Sequence, residues 1–334
     1  MGEAIKKLFR NIGKCLKETH KTISVVQRRK FNLRLIILLD LIWCRIRYRI
    51  KLKEYVIFEF YLIPGFLRNT YISIKEYESY KPYLYSPDTL HILNNKKLLF
   101  ARLKKYLNRP VIDVNDCSFK DFELFALKYH DVLARKSNKS FLSSNKEYYL
   151  KDFRSHAFML DKIKLDGNVI VEPLFKQDPL LEKISSNLVT IIIITLCDVN
   201  TKRIHVTGAC IKFRENETTI NGYIDVNNLS IKGHLRDNTN RIYPKNIDGY
   251  EIPSLQKAFN LVKKLASELD EIREIEWSIC LTDKGEAYLV DANVSEDLVF
   301  EQTPEYLRNR VGLKPFYKRH MVGMSRYRYK KERS

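Results

Sequence analysis

Apolar positions along this chain change their period several times, and each change marks an element. From Pro253 to Leu269 they recur at three- and four-residue intervals, at Leu255, Phe259, Val262, Ala266 and Leu269, which predicts an amphipathic helix with one buried stripe. Phe119 to Tyr129 predicts a second helix. Lys96 to Leu107 predicts a third, capped by Asn94, with Leu99, Leu103 and Leu107 on one face. The run LVTIIIITLC, Leu188 to Cys197, lacks alternation and suits a strand covered on both faces, with RIHVTGACIKF as its neighbour. Val169 to Glu172 reads as a shorter strand, followed by Pro173 and a short helix near Leu180. Residues 54–90 are dense in aromatics and interrupted by Pro64-Gly65, Pro82 and Pro87, so short elements joined by turns are expected there. From Ala4 to about Arg49 the pattern is mostly helical. Strands and helices mixed in this way indicate an α+β fold.

The segment WSICLTDKGEAYLVDANVSE, Trp277 to Glu296, predicts a hairpin. Asp283, Lys284 and Gly285 lie between two apolar runs, and glycine supplies the positive φ of a tight turn. A two-residue loop at Lys284 and Gly285 sets Ser278 opposite Asp291. Because strand side chains alternate, Ser278, Asp291 and Asn293 then share a face. Three oxygen-bearing side chains at one strand end are the ligand type a hard divalent cation takes. A polar strand end facing solvent is the alternative.

Charge adds a second layer. The net charge of +19 is concentrated at the two ends. Residues 1–53 carry fifteen Lys/Arg against Glu3, Glu18 and Asp40, and residues 308–334 carry ten against Glu332. Such ends attract anionic surfaces, a membrane first because Leu, Ile, Trp and Tyr are interleaved with the basic residues, and nucleic acid last for want of any recognition signature. The apolar run Leu33 to Cys44 is broken by Arg34 and Asp40 and falls short of the roughly 20 residues of a spanning helix. It also lacks the form of a secretory signal. Six scattered cysteines, with no Cys-x-x-Cys pair, imply reduced thiols in a cytoplasmic protein rather than disulfides or a zinc site.

In their order, IVEPLFKQDPLLEKISSNLVTIIIITL, GYEIPSLQKAFNLVKKLASEL and IEWSICLTDKGEAYLVDAN resemble the ATP-grasp superfamily, and within it the sugar-transfer-associated branch, over about residues 45 to 313. The resemblance implies a two-lobe α+β fold that clamps ATP and Mg2+. Together with the charge distribution it divides the chain into a basic amphipathic helical extension at 1–53, an aromatic-rich connecting segment at 54–90, N- and C-terminal lobes at 91–170 and 171–313, and a basic tail at 314–334. It gives Lys97 and Lys136 to the phosphates, Glu172 on the hinge to the adenine amino group, Asp178 to the ribose, and Asp291, Asn293 and Ser278 to magnesium.

The same resemblance implies an ATP-dependent carboxylate–amine ligase working through an acyl phosphate. Its expected setting is cell-surface polysaccharide assembly, on a small-molecule or lipid-linked saccharide, peripherally at the inner face of the membrane. Four positions depart from the pattern. Ser278 stands in place of an Asp, Ile192 in place of an Arg, Asp291 in place of a Glu, and KSNKSFLSSNK replaces a glycine-rich loop. Either Arg135, Lys139 or Lys146 replaces the lost charge, or the chain is a catalytically degenerate shell that binds or scaffolds.

Overall fold

The computed structural model describes residues 34–107, 109–136, 146–216, 218–237, 241–295, 302–303 and 307–323. Most of the basic extension, the end of the basic tail and Lys139 therefore lie outside the described residues. Two compact units emerge, one of Met1–Pro82 with Glu296–Val322, the other of Tyr83–Ser295 with Gly323–Ser334. Residues 307–322 thus belong with the aromatic-rich segment and not with the large sheet.

The first unit is helical. Helix α1 (Arg34–Arg47), α2 (Leu52–Ile57), α3 (Gly65–Arg68) and α4 (Ile74–Leu84) surround a core of Ile37, Leu41, Cys44, Tyr55, Phe58, Phe60 and Tyr71. The expected short elements between the prolines are present. Buried Glu54 stitches them: its carboxylate accepts from the backbone N–H of Lys51 and of Ile74, both at 2.7 Å. At Gly312 a side chain would run into the backbone carbonyl of Thr70, so glycine is what permits that close approach.

The second unit holds two antiparallel sheets. Helices α5 (Pro87–Asn94) and α6 (Lys96–Leu103) lead into strand β1 (Ile112–Asp113), then α7 (Phe119–Tyr129), β2 (Val132–Arg135), β3 (Lys146–Tyr148), α8 (His156–Leu165) and β4 (Ile170–Pro173). These strands form the small sheet, in the order β1-β4-β2-β3. After α9 (Pro179–Ile184) come β5 (Thr190–Cys197), β6 (Ile204–Glu215), β7 (Thr218–Asp225), β8 (Ser230–Asp237), α10 (Leu255–Glu268), β9 (Glu274–Leu281) and β10 (Ala287–Asn293). They form the large sheet in the order β10-β9-β5-β6-β7-β8, and α11 (Lys314–His320) completes the first unit.

All eight residues of β5 are buried, which explains its unbroken apolar run. The five stripe positions read from the sequence around α10 are buried, and the helix packs against β5, β9 and β10. Leu255, Phe259, Val262 and Leu269 each contribute about 1.5–3 kcal/mol of burial. Two local expectations are corrected. The cap of α6 is Asn95, whose side chain accepts from the Leu98 N–H, and the α-helix ends at Leu103 with one 3-10 turn beyond it. The β9–β10 loop has three residues, since Thr282 N–H bonds Glu286 O and Leu281 pairs Ala287.

That extra loop residue ought to slip the hairpin by one place. A bulge between Leu289 and Asp291 cancels it, so Ser278 still pairs with Asp291. A one-residue slip would have turned Asp291 to the opposite face.

Candidate functional site

Three strands of the large sheet set a row of side chains. Ile192 on β5 pairs Ser278 on β9, and Ser278 pairs Asp291 on β10; one step along, Ile194, Glu276 and Asn293 form the next row. Ser278, Asp291 and Asn293 thus come together as the hairpin reading expects. Glu276, opposite Asn293 and buried, is an acid that reading missed although it precedes Trp277 by one residue.

What occupies the end of this row is Lys96. Its side chain is 3% exposed and its ammonium lies 2.6 Å from Asp291 Oδ1, where the partner side chain is 1% exposed. The same Nζ donates to Asn293 Oδ1 at 2.8 Å, to Ala292 O at 2.7 Å and to Leu93 O at 2.9 Å. Four oxygens thus surround a group with three N–H bonds, and Asp291 Oδ1 additionally accepts from the Ala292 N–H at 2.9 Å. Burial pulls the lysine below its ordinary value against the attraction of Asp291, and the nearby charge of Arg135 presses the same way as burial.

As arranged, Asp291 and Asn293 do not fit a divalent cation. Their oxygens already hold a monovalent one, and position 278 adds only a neutral hydroxyl.

Glu172 is fully buried on β4, between two guanidinium groups: Arg109 Nη2 at 2.7 Å and Arg135 Nη2 at 3.0 Å. Arg109 also donates to Leu289 O on β10 at 3.0 Å, and so ties the small sheet to the large one. Its guanidinium lies 5.8 Å from the ring centres of both Phe175 and Tyr288, while that of Arg135 lies 5.0 Å from Phe100. Arg109 Nε and Nη1 have no hydrogen-bond acceptor among the described residues. Beside these charges Leu133 of β2 packs with Cys280 and Val290 of the hairpin, and burial pushes the Cys280 thiol up to about 12.

The other expected residues are dispersed. Lys97 is half exposed and pairs with Asp113 at 3.3 Å and with Asp116. It lines, with Phe100, Lys104, Leu107, Arg109 and Asp113, a cavity of about 560 Å³. Lys136, half-buried at the end of β2, lies against Gly167. Asp178 caps α9, accepting from Leu180 N–H at 2.9 Å and from Ser254 Oγ at 3.0 Å. Lys146 pairs with Asp166 at 2.6 Å, and of the two described candidates for replacement charge Arg135 reaches the buried cluster.

No family model matches this chain, and no curated protein does. Solved structures do. The chain is similar to the ATP-grasp ligase PsnB complexed with minimal precursor (13% identity, TM-score 0.44, covering 72% of this chain and 64% of that one). It is similar to the ADP complex of purK, N5-carboxyaminoimidazole ribonucleotide synthetase (14%, TM-score 0.39, 62% and 46%). A third is L-amino acid ligase from Bacillus licheniformis (12%, TM-score 0.39, 67% and 48%). The chain spans less than two thirds of the length of each. At these scores the likeness carries no residue's role to this chain.

Proposed function

We propose that this chain is an ATP-dependent carboxylate–amine ligase of the ATP-grasp kind. A substrate carboxylate would attack the terminal phosphorus of ATP and release ADP. An amine would then displace phosphate from the acyl phosphate to give the amide. The observation that carries the reading is Arg109: a buried guanidinium whose Nε and Nη1 lack an acceptor among the described residues, ion-paired with Glu172, in a residue that lines a cavity of about 560 Å³ together with Lys97 and Lys104. A guanidinium fork suits phosphate and carboxylate oxygens, and a cavity of this volume suits a small molecule. Buried, closely coupled charges of this kind are costly to a fold and gather at functional sites. Arg109, Lys97 and Lys104 are the cations this reading sets near the phosphates, since all three line the cavity. The motif order and the basic ends support a role in cell-surface polysaccharide assembly at a membrane face.

A second reading, a shell that binds without catalysis, is favoured by Lys96, which fills the position that the motif gives to magnesium. Calorimetric titration of the folded full-length protein with ATP, with and without magnesium, separates them, alongside Arg109→Ala and the double variant Asp291→Ala/Asn293→Ala. Binding lost in Arg109→Ala, together with ADP release when carboxylate and amine mixtures are added, supports the ligase. Binding with no ADP release supports the shell, and no binding at millimolar ATP removes both as nucleotide sites.

A further inference from the structure

Helix α1 carries two apolar stripes on opposite sides. Ile37, Leu41 and Cys44 face the core of the first unit. Leu35, Leu39, Ile42 and Ile46 recur at i, i+4, i+7 and i+11, about half a turn away from the first stripe, and all are exposed, Leu35 at 67%, Leu39 at 57% and Ile46 at 71%. Trp43 lies beside them, 57% exposed. Helices that are apolar all round are ordinarily buried in a core or in lipid. This one is half in a core, with its other face in the open.

The charges around the open face have one sign. Arg45, Arg47, Arg49, Lys51 and Lys53 are all exposed at the end of the helix and just beyond it. The acids of the same stretch are turned away. Asp40 accepts from Arg68 Nη1 at 2.6 Å and from Tyr55 Oη at 2.6 Å, and Glu54 is buried on backbone N–H groups. An apolar stripe with tryptophan, followed by a run of cations without exposed acids, matches the interface of a bilayer with anionic headgroups. At 14 residues α1 is about 21 Å long, too short to cross the roughly 30 Å hydrocarbon layer, and no described helix is long and apolar enough to do so.

We propose that α1 is a docking surface for an anionic phospholipid bilayer, lying in the interface with Leu35, Leu39, Ile42, Trp43 and Ile46 inserted and the arginines and lysines on the headgroups. This surface belongs to the first unit and stands independently of the ligase reading.

The test is sedimentation of the full-length protein with vesicles of phosphatidylcholine alone and of phosphatidylcholine with phosphatidylserine, together with tryptophan emission. The chain has two tryptophans, and Trp277 is fully buried, so a blue shift on adding vesicles reports Trp43. Binding and a blue shift are expected with the anionic vesicles, weakening steeply with salt. Arg45→Ser/Arg47→Ser weakens that binding by about 30-fold at low salt. Leu39→Ser/Ile46→Ser weakens it by about tenfold or more. The altered side chains are exposed, so melting temperature is expected to hold, and the wild-type salt series depends on no variant. No sedimentation and no blue shift with anionic vesicles would overturn the proposal. So would a wild-type dimer, seen without vesicles, that Leu39→Ser/Ile46→Ser disperses while leaving vesicle binding unchanged.

Discussion

Lys96 Nζ sits 2.6 Å from Asp291 Oδ1, with the two side chains 3% and 1% exposed. One residue begins a helix and the other ends a hairpin, so the pair fastens α6 to β10. It is also the central chemical fact of the candidate site. The carboxylate that motif order offers to a divalent cation is held by a cation that the chain itself supplies.

Breaking this pair from one side is expected to be expensive. Lys96→Met leaves a buried carboxylate without its partner, a loss of about 3–5 kcal/mol. In a unit of this size that lowers the melting temperature on the order of 10 °C. Lys96→Met/Asp291→Asn, which removes both charges, should recover most of the loss. Thermal unfolding of the three variants and the wild type gives the coupling directly. Losses that simply add would show that the two groups do not act as a pair.

The hairpin shows how much of this was legible in the sequence. Ser278 opposite Asp291 follows from the turn residues, yet the actual turn is one residue longer and a bulge restores the register. Turn length and bulge are separately invisible in a run of apolar residues, while their combined effect is fixed by which face must be buried. Lys96 was legible in principle: it shares a helix face with Leu99, Phe100 and Leu103, whereas Lys97 falls off that face. Two adjacent lysines look alike until helix phase is considered. Arg109 gave no such signal, because its loop position beside Pro110 has no periodicity. Its burial depends on a carboxylate more than sixty residues away, which only the folded sheet brings near.

Glu172 is the counter-ion of two buried guanidinium groups. Glu172→Gln keeps the shape and removes the charge that Arg109 and Arg135 share, at a cost of about 3–5 kcal/mol. Inorganic phosphate should then raise the melting temperature of the variant more than that of the wild type, since an entering anion replaces the lost one. Equal shifts in both proteins would mean that phosphate does not reach the cluster.

Two buried thiols make stability sensitive to alkali. Burial pushes both Cys44 and Cys280 up to about 12 from an ordinary 9.0. Between those values the unfolded chain releases thiol protons that the folded chain retains, so rising pH favours unfolding. The stabilisation is complete below pH 9 and lost as pH approaches 12. In denaturant titrations across that range, Cys280→Ala should show a shallower decline than the wild type. At pH 8 Cys280 should resist alkylation until the protein unfolds, because the thiolate is the reactive species. Rapid alkylation of the folded protein at Cys280 would contradict the burial argument.

Replacing the ammonium should open the position to metal. Asp291 and Asn293 present oxygens to Lys96 Nζ, Ser278 stands opposite Asp291, and Glu276 stands opposite Asn293. With the lysine replaced by an uncharged side chain, a manganese ion meets oxygen ligands and a carboxylate that has lost its ammonium, the combination that hard cations favour. Lys96→Met, studied well below its melting temperature without nucleotide, should bind Mn2+ about tenfold or more tightly than the wild type by electron paramagnetic resonance titration. Asp291→Asn in the same background should remove the gain. Equal manganese binding by wild type and Lys96→Met would mean that the lysine does not guard the carboxylate. Wild-type binding that Asp291→Asn abolishes would mean that metal displaces the ammonium unaided, which would restore magnesium to the ligase reading.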